Sequence, residues 1–101
     1  MGKLMKQAQT FQKNMQTMRE DLADRVVEGT SGGGMVKVQV NGVQEVISVK
    51  IDPEVVDPED AEMLEDLVTT ALAQALKKSK ELNDGEMKKL TGSMGLPPGL
   101  F

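Results

Sequence analysis

The spacing of apolar residues changes period twice along this chain, and that limits the folds open to it. Leu4, Ala8, Phe11, Met15, Met18 and Leu22 follow one another at intervals of 4, 3, 4, 3 and 4 residues. This is a 3.5-residue seam, the pattern of a helix that packs against another helix. No Pro or Gly interrupts from Lys3 to Glu28, and the intervening Gln, Lys, Met and Ala favour helix. The seam predicts a first helix ending near Ala23 or Asp24. From Val36 the period is two: Val36, Val38 and Val40 alternate with Lys37 and Gln39, as in a half-buried strand. Leu64, Leu67, Val68, Ala71, Leu72, Ala75 and Leu76 then return to helical spacing.

The joints between these segments carry their own signals. Arg25-Val26-Val27-Glu28 fits a short first strand, and Gly29-Thr30-Ser31-Gly32-Gly33-Gly34 reads as a turn. Asn41-Gly42 marks a hairpin. The return strand carries Ile47, Val49 and Ile51 on one parity. A loop of two or four residues puts them on the face of Val36, Val38 and Val40. A loop of three would put Ser48 and Lys50 there, so it is rejected. Glu45 shares the apolar parity and is a misfit. Asp52-Pro53 closes the sheet. Asp57 reads as the N-cap of the last helix, with Pro58 at its first position. That helix runs at least to Leu82. Asn83-Asp84-Gly85 either breaks it or is absorbed, since Met87 and Leu90 keep the phase. The expectation is one domain over residues 1–91 and a mobile tail over 92–101, where two prolines and three glycines fall. The fold class is α+β: a long N-terminal helix, a three-stranded antiparallel meander, a short turn, and a long C-terminal helix.

Composition narrows function. The chain has 101 residues, and its aromatic residues are Phe11 and Phe101 alone. Eight methionines do part of the apolar work. A core this poor in large rigid groups implies that a partner subunit supplies part of the buried surface. There is no Cys and no His, which removes disulfides, Cys-based zinc sites and the usual general base. The expectation is no enzyme, no metal and no cofactor. No apolar run approaches the ~20 residues of a membrane span. The first six residues lack the apolar stretch of a secretion signal, so the expected compartment is the cytoplasm.

Two local patterns have bland readings that win. Gly32–Gly34 lacks the Gly-Lys-Ser/Thr ending of a phosphate loop and leads into a strand, so it is a strand connection. Glu59, Glu62, Glu65 and Asp66 share a helix face but lack the loop glycine of a calcium site; they complement a helix N-terminus.

The basic residues are more informative. The net charge is −4, yet residues 1–20 hold Lys3, Lys6, Lys13 and Arg19 against Glu20 alone. Lys3, Lys6 and Lys13 fall on one broad helix face, away from most of the apolar seam. Lys77, Lys78, Lys80, Lys88 and Lys89 lie late in the last helix. If the two long helices pack antiparallel, the basic ends converge and the acidic 57–66 stretch lies at the opposite pole. Such a patch suits a phosphate backbone. Neither Phe sits among basic strand residues, so base stacking on single strands is not expected.

The whole chain resembles the YbaB/EbfC family of bacterial nucleoid-associated DNA-binding proteins. The resemblance is carried by Leu4-Met5-Lys6-Gln7-Ala8-Gln9, by Gly33-Gly34-Met35-Val36-Lys37-Val38 with Val40-Asn41-Gly42, and by Val49-Lys50-Ile51-Asp52-Pro53. Glu62-Met63-Leu64-Glu65-Asp66-Leu67-Val68 and Gly95-Leu96-Pro97-Pro98-Gly99 complete it. It implies a tweezer-like homodimer whose sheets build the interface and whose long helices form arms able to straddle duplex DNA. It also implies a cytoplasmic, nucleoid-associated protein. The family's DNA contacts cluster on the arm helices. The residues carried over are therefore Lys3, Lys6, Lys13, Lys77, Lys78 and Lys80, with Lys88 and Lys89 left out because of Asn83-Asp84-Gly85.

The resulting expectation is a homodimer that binds duplex DNA mainly through phosphates, with a role in nucleoid organisation or gene regulation. The alternative is a protein-binding adaptor for replication or repair machinery.

Overall fold

The computed structural model describes residues 2–93. Helix α1 spans Gly2–Asp24, and strand β1 follows at Val26–Ser31. A 3-10 turn at Gly32–Gly34 leads to β2, Val36–Asn41, and then β3, Val46–Ile51. A second 3-10 turn, Pro53–Val55, precedes helix α2, Ala61–Ser93. The fold is α+β, as the change of period predicts. The strands form one antiparallel sheet in the order β1-β2-β3.

The meander is longer at its first strand than the sequence suggests. Gly29, Thr30 and Ser31 belong to β1, opposite Val38, Lys37 and Val36, and only the three glycines turn the chain. All three have positive φ, at 59°, 67° and 91°, a region glycine enters without a Cβ penalty. Gly29 lies in the strand for a different reason: α2 crosses it so closely that a Cβ would sit 2.6 Å from the Ala75 amide nitrogen.

The hairpin loop has four residues, Gly42–Glu45, one of the two lengths that parity allows. Val49 faces Val38 and Ile51 faces Val36, as expected. Next to the loop the register shifts, so that Val40 faces Val46 and Ile47 is the extra residue of a bulge. That shift explains Glu45. It leaves the apolar parity and becomes a loop residue whose Oε1 accepts a hydrogen bond from Asn41 Nδ2 at 2.9 Å.

The start of α2 is also displaced from the sequence expectation. Asp57 caps a turn, its Oδ1 accepting from the Glu59 amide at 3.0 Å. Asp60 is the helix cap, accepting from the Met63 amide at 3.2 Å. At the other end α2 passes through Asn83-Asp84-Gly85 without a break and includes Gly92 and Ser93. Helical phase outweighs the glycine, because Leu82, Asn83, Glu86 and Met87 are partly buried on one side. Of the tail expected over 92–101, the first two residues are thus helical, and residues 94–101 lie outside the described residues.

The core is small and aliphatic. Val36, Val38 and Val40 are buried against Ala71 and Ala75, with Val55 closing one end. Leu64, Leu67, Val68, Leu72 and Leu76 pack around them. α2 lies across β1 and β2 and leaves β3 uncovered. Val49 and Ile51 therefore project from the core face yet stay exposed, as do Val46 and Ile47 at 52% and 53%.

Candidate nucleic-acid interface

The site is assembled where α1 meets the second half of α2. Leu22 is fully buried, and the Gly42 amide donates to its carbonyl oxygen at 2.9 Å. Gly42 is small because Leu22 is close: a Cβ would sit 2.8 Å from that oxygen. From the other side Ser79 Oγ donates to the Asn41 carbonyl at 2.6 Å, and Asn83 Nδ2 donates to the Gly42 carbonyl at 3.1 Å. Asn41 is itself buried; its Nδ2 also donates to the Ala23 carbonyl at 3.2 Å, and its Oδ1 accepts from the Val43 and Glu45 amides. The hairpin end is thus bolted to both helices.

Beyond this junction the helices run antiparallel. Met15, Met18, Arg19, Val43, Lys80, Asn83 and Met87 line a groove of about 380 Å³. Further out, Asn14, Thr17, Met18 and Asp21 face Glu86, Lys89 and Leu90. Leu22, Met18, Met15 and Phe11 of the seam are at least partly buried, but Leu4 is 70% exposed. The first turns of α1 therefore extend as a protruding arm.

An ion-pair chain ties the two helices. Arg25 lies 3.1 Å from Glu86 and 3.9 Å from Asp21, and Lys89 lies 3.5 Å from Glu86. The Arg25 guanidinium, hydrogen-bonded to Glu86, holds that carboxyl below its ordinary 4.5, and Lys89 adds to the effect.

All six lysines expected to meet DNA are exposed on the helices. Lys3, Lys6 and Lys13 lie on α1. Lys6 and Lys13 are one heptad apart and point away from the seam, hence away from α2. Lys77, Lys78 and Lys80 lie on α2 nearer the sheet. The structure does not gather these two groups at one spot. Asn14 sits level with Lys89, and Lys77 is twelve residues back along α2, roughly 18 Å at 1.5 Å per residue. Lys3 extends about as far again in the other direction. The pattern is a basic strip along the arm, with the acidic 57–66 stretch at the far end of α2.

Two features of that strip escaped sequence reasoning. Lys88 and Lys89 belong to it because α2 is continuous, a fact foreshadowed by the phase of Met87 and Leu90. Arg19 joins Lys80 across the groove, a tertiary proximity with no sequence signal. Lys78 is unlike the others: its ammonium donates to the Glu28 carbonyl at 2.8 Å. Among the described residues no cluster of three metal-ligating side chains occurs, and no helix is long and apolar enough to cross a membrane.

Residues 1–94 match the sequence profile of the YbaB/EbfC DNA-binding family. The chain belongs to the YbaB/EbfC family. A nucleoid-associated protein of Clostridium kluyveri is 54% identical over the full chain and 88% of its own length. A nucleoid-associated protein of Pelotomaculum thermopropionicum is 48% identical over the full chain and 95% of its own length. A crystal structure of an uncharacterized protein from Helicobacter pylori superposes with a TM-score of 0.74 at 28% identity, covering 90% of this chain and 91% of the other. YbaB/EbfC membership points to a DNA-binding protein and away from an enzyme.

Proposed function

We propose that this chain is a nucleoid-associated protein that pairs as a homodimer and binds duplex DNA through phosphate contacts. The observation that carries the reading is the basic strip on the outer faces of two antiparallel helices, in a chain of this family. Lys3, Lys6, Lys13, Lys77 and Lys80 present ammonium groups to solvent along one arm. Phosphate binding releases counterions, so affinity falls with salt and carries little sequence information. Neither helix offers the Arg and Asn cluster that reads base edges. Organisation of the nucleoid, with regulation as a consequence, is the role that fits such binding.

Pairing is supported by the sheet. Val46, Ile47, Val49 and Ile51 form an apolar shelf on an edge strand that α2 does not reach. A contiguous patch of this kind marks an association surface. Covering it with its own copy places an arm on each side of a twofold axis.

The test is a gel-shift titration of a duplex against salt, with light scattering on the same sample. A mass of two copies is expected. Engagement of four to ten phosphates gives a slope of about −4 to −9 in log affinity against log salt. Affinity unchanged over a tenfold range of salt removes the mechanism.

A further inference from the structure

The two outer strands of the sheet are finished differently. On β1, the Glu28 carbonyl accepts from Lys78 Nζ at 2.8 Å, and the Thr30 amide donates to Gln74 Oε1 at 2.7 Å. Gln74 and Lys78 are one turn apart on α2, so they leave the same helix face and reach neighbouring backbone groups of the strand. Ser31 Oγ donates to the Leu67 carbonyl at 2.6 Å, tying the end of β1 to the same helix. The close approach at Gly29 is what brings α2 within reach. On β3, among the described residues, no side chain bonds to the backbone of the strand, and its apolar side chains are exposed.

We propose that Gln74 and Lys78 are edge guards: they close β1 to strand addition and confine sheet-mediated association to the β3 side. A sheet edge with unpaired backbone groups is a template for a strand of another copy. Association through both edges propagates without end, whereas association through one edge closes at two copies. Lys78 therefore has a role distinct from that of Lys77 and Lys80. Its ammonium is committed to a backbone carbonyl, whereas the other two project freely along the arm. This inference rests on the pairing through β3 proposed above.

Light scattering over a hundredfold concentration range tests it, with circular dichroism to confirm the fold. The subjects are the wild-type chain, the double variant Gln74→Leu/Lys78→Met and the control Lys78→Arg, which keeps a donor. The double variant is expected to grow with concentration to at least twice the wild-type mass, and the control to match wild type. Gel shifts on the same samples are expected to show Lys78→Met within about twofold of wild type, and Lys77→Met/Lys80→Met weakened about fivefold or more. A folded double variant that keeps the wild-type mass throughout overturns the proposal. So does a Lys78→Met variant as weak on DNA as the Lys77/Lys80 pair. Should the double variant fail to fold, Gln74→Leu and Lys78→Met are read singly, and wild-type mass in both is equally fatal. A monomeric wild type defeats the β3 pairing instead, while growth of the double variant relative to it still reports on the guards.

Discussion

Gly29 of β1 lies directly beneath Ala71 of α2, and a Cβ at Gly29 would collide with the Ala71 carbonyl oxygen. The obstacle is backbone, which cannot swing aside as a side chain can. At this point strand and helix meet without an intervening side chain.

Gly29→Ala is accordingly expected to destabilise the chain by about 3 kcal/mol, the upper end of the overpacking range. Urea unfolding followed by circular dichroism measures it. A loss below about 0.5 kcal/mol would show that α2 can slide off β1 at little cost.

Gly85→Ala should act in the opposite sense. Gly85 is in the interior of α2, exposed, with open space where a Cβ would go. Replacing helical glycine with alanine gains roughly 0.5–1 kcal/mol. The same unfolding assay reads the gain, and an unchanged midpoint would contradict it.

Glu86 makes stability depend on acid. Its carboxyl titrates below 4.5 in the folded chain because Arg25 and Lys89 favour the charged form. A depressed carboxyl contributes stability that is fully present above its unfolded value and is lost as pH falls through the folded value. Unfolding midpoints between pH 7 and pH 3 should therefore fall less steeply in Glu86→Gln than in wild type. Its partners Arg25 and Lys89 are largely open to solvent, so the difference is expected to shrink in high salt.

Val49→Glu is expected to separate the pair. Val49 is 47% exposed on the shelf of β3, so a charge there leaves the single chain intact but would be buried without a partner at a twofold contact. The mass should fall from two copies to one in light scattering, with unchanged circular dichroism.

The lysine strip predicts graded DNA binding. Lys3→Gln/Lys6→Gln/Lys13→Gln removes three charges per copy, so the salt slope should flatten by about 2 to 3 for each arm engaged. A gel-shift series against salt checks this, and an unaltered slope would place the contact elsewhere.

The elements themselves were legible from local pattern. The 3.5-residue seam, the Val36–Val40 alternation and the Leu64–Leu76 run each name their element, because period alone decides which side chains share a face. The arm lysines were legible for the same reason, as positions on exposed helix faces. Their separation along the arm was not, because it depends on where α1 is anchored. Leu22 under Gly42 sets that anchor, and nothing near Leu22 in sequence announces a contact twenty residues away.

Amino-acid order was thus sufficient for helix, meander and helix, for the basic and acidic ends, and for the family. Tertiary structure decided the rest: that Gly29 serves close packing and not a turn, that Asp60 and not Asp57 caps α2, and that α2 continues past Gly85. It also decided that Lys78 holds a strand edge while its neighbours face solvent. The physical reason is common to Gly29, to the continuity of α2 and to Lys78. Local propensities differ by about 1 kcal/mol or less, and a single packing contact or hydrogen bond made by a distant segment is enough to outweigh them.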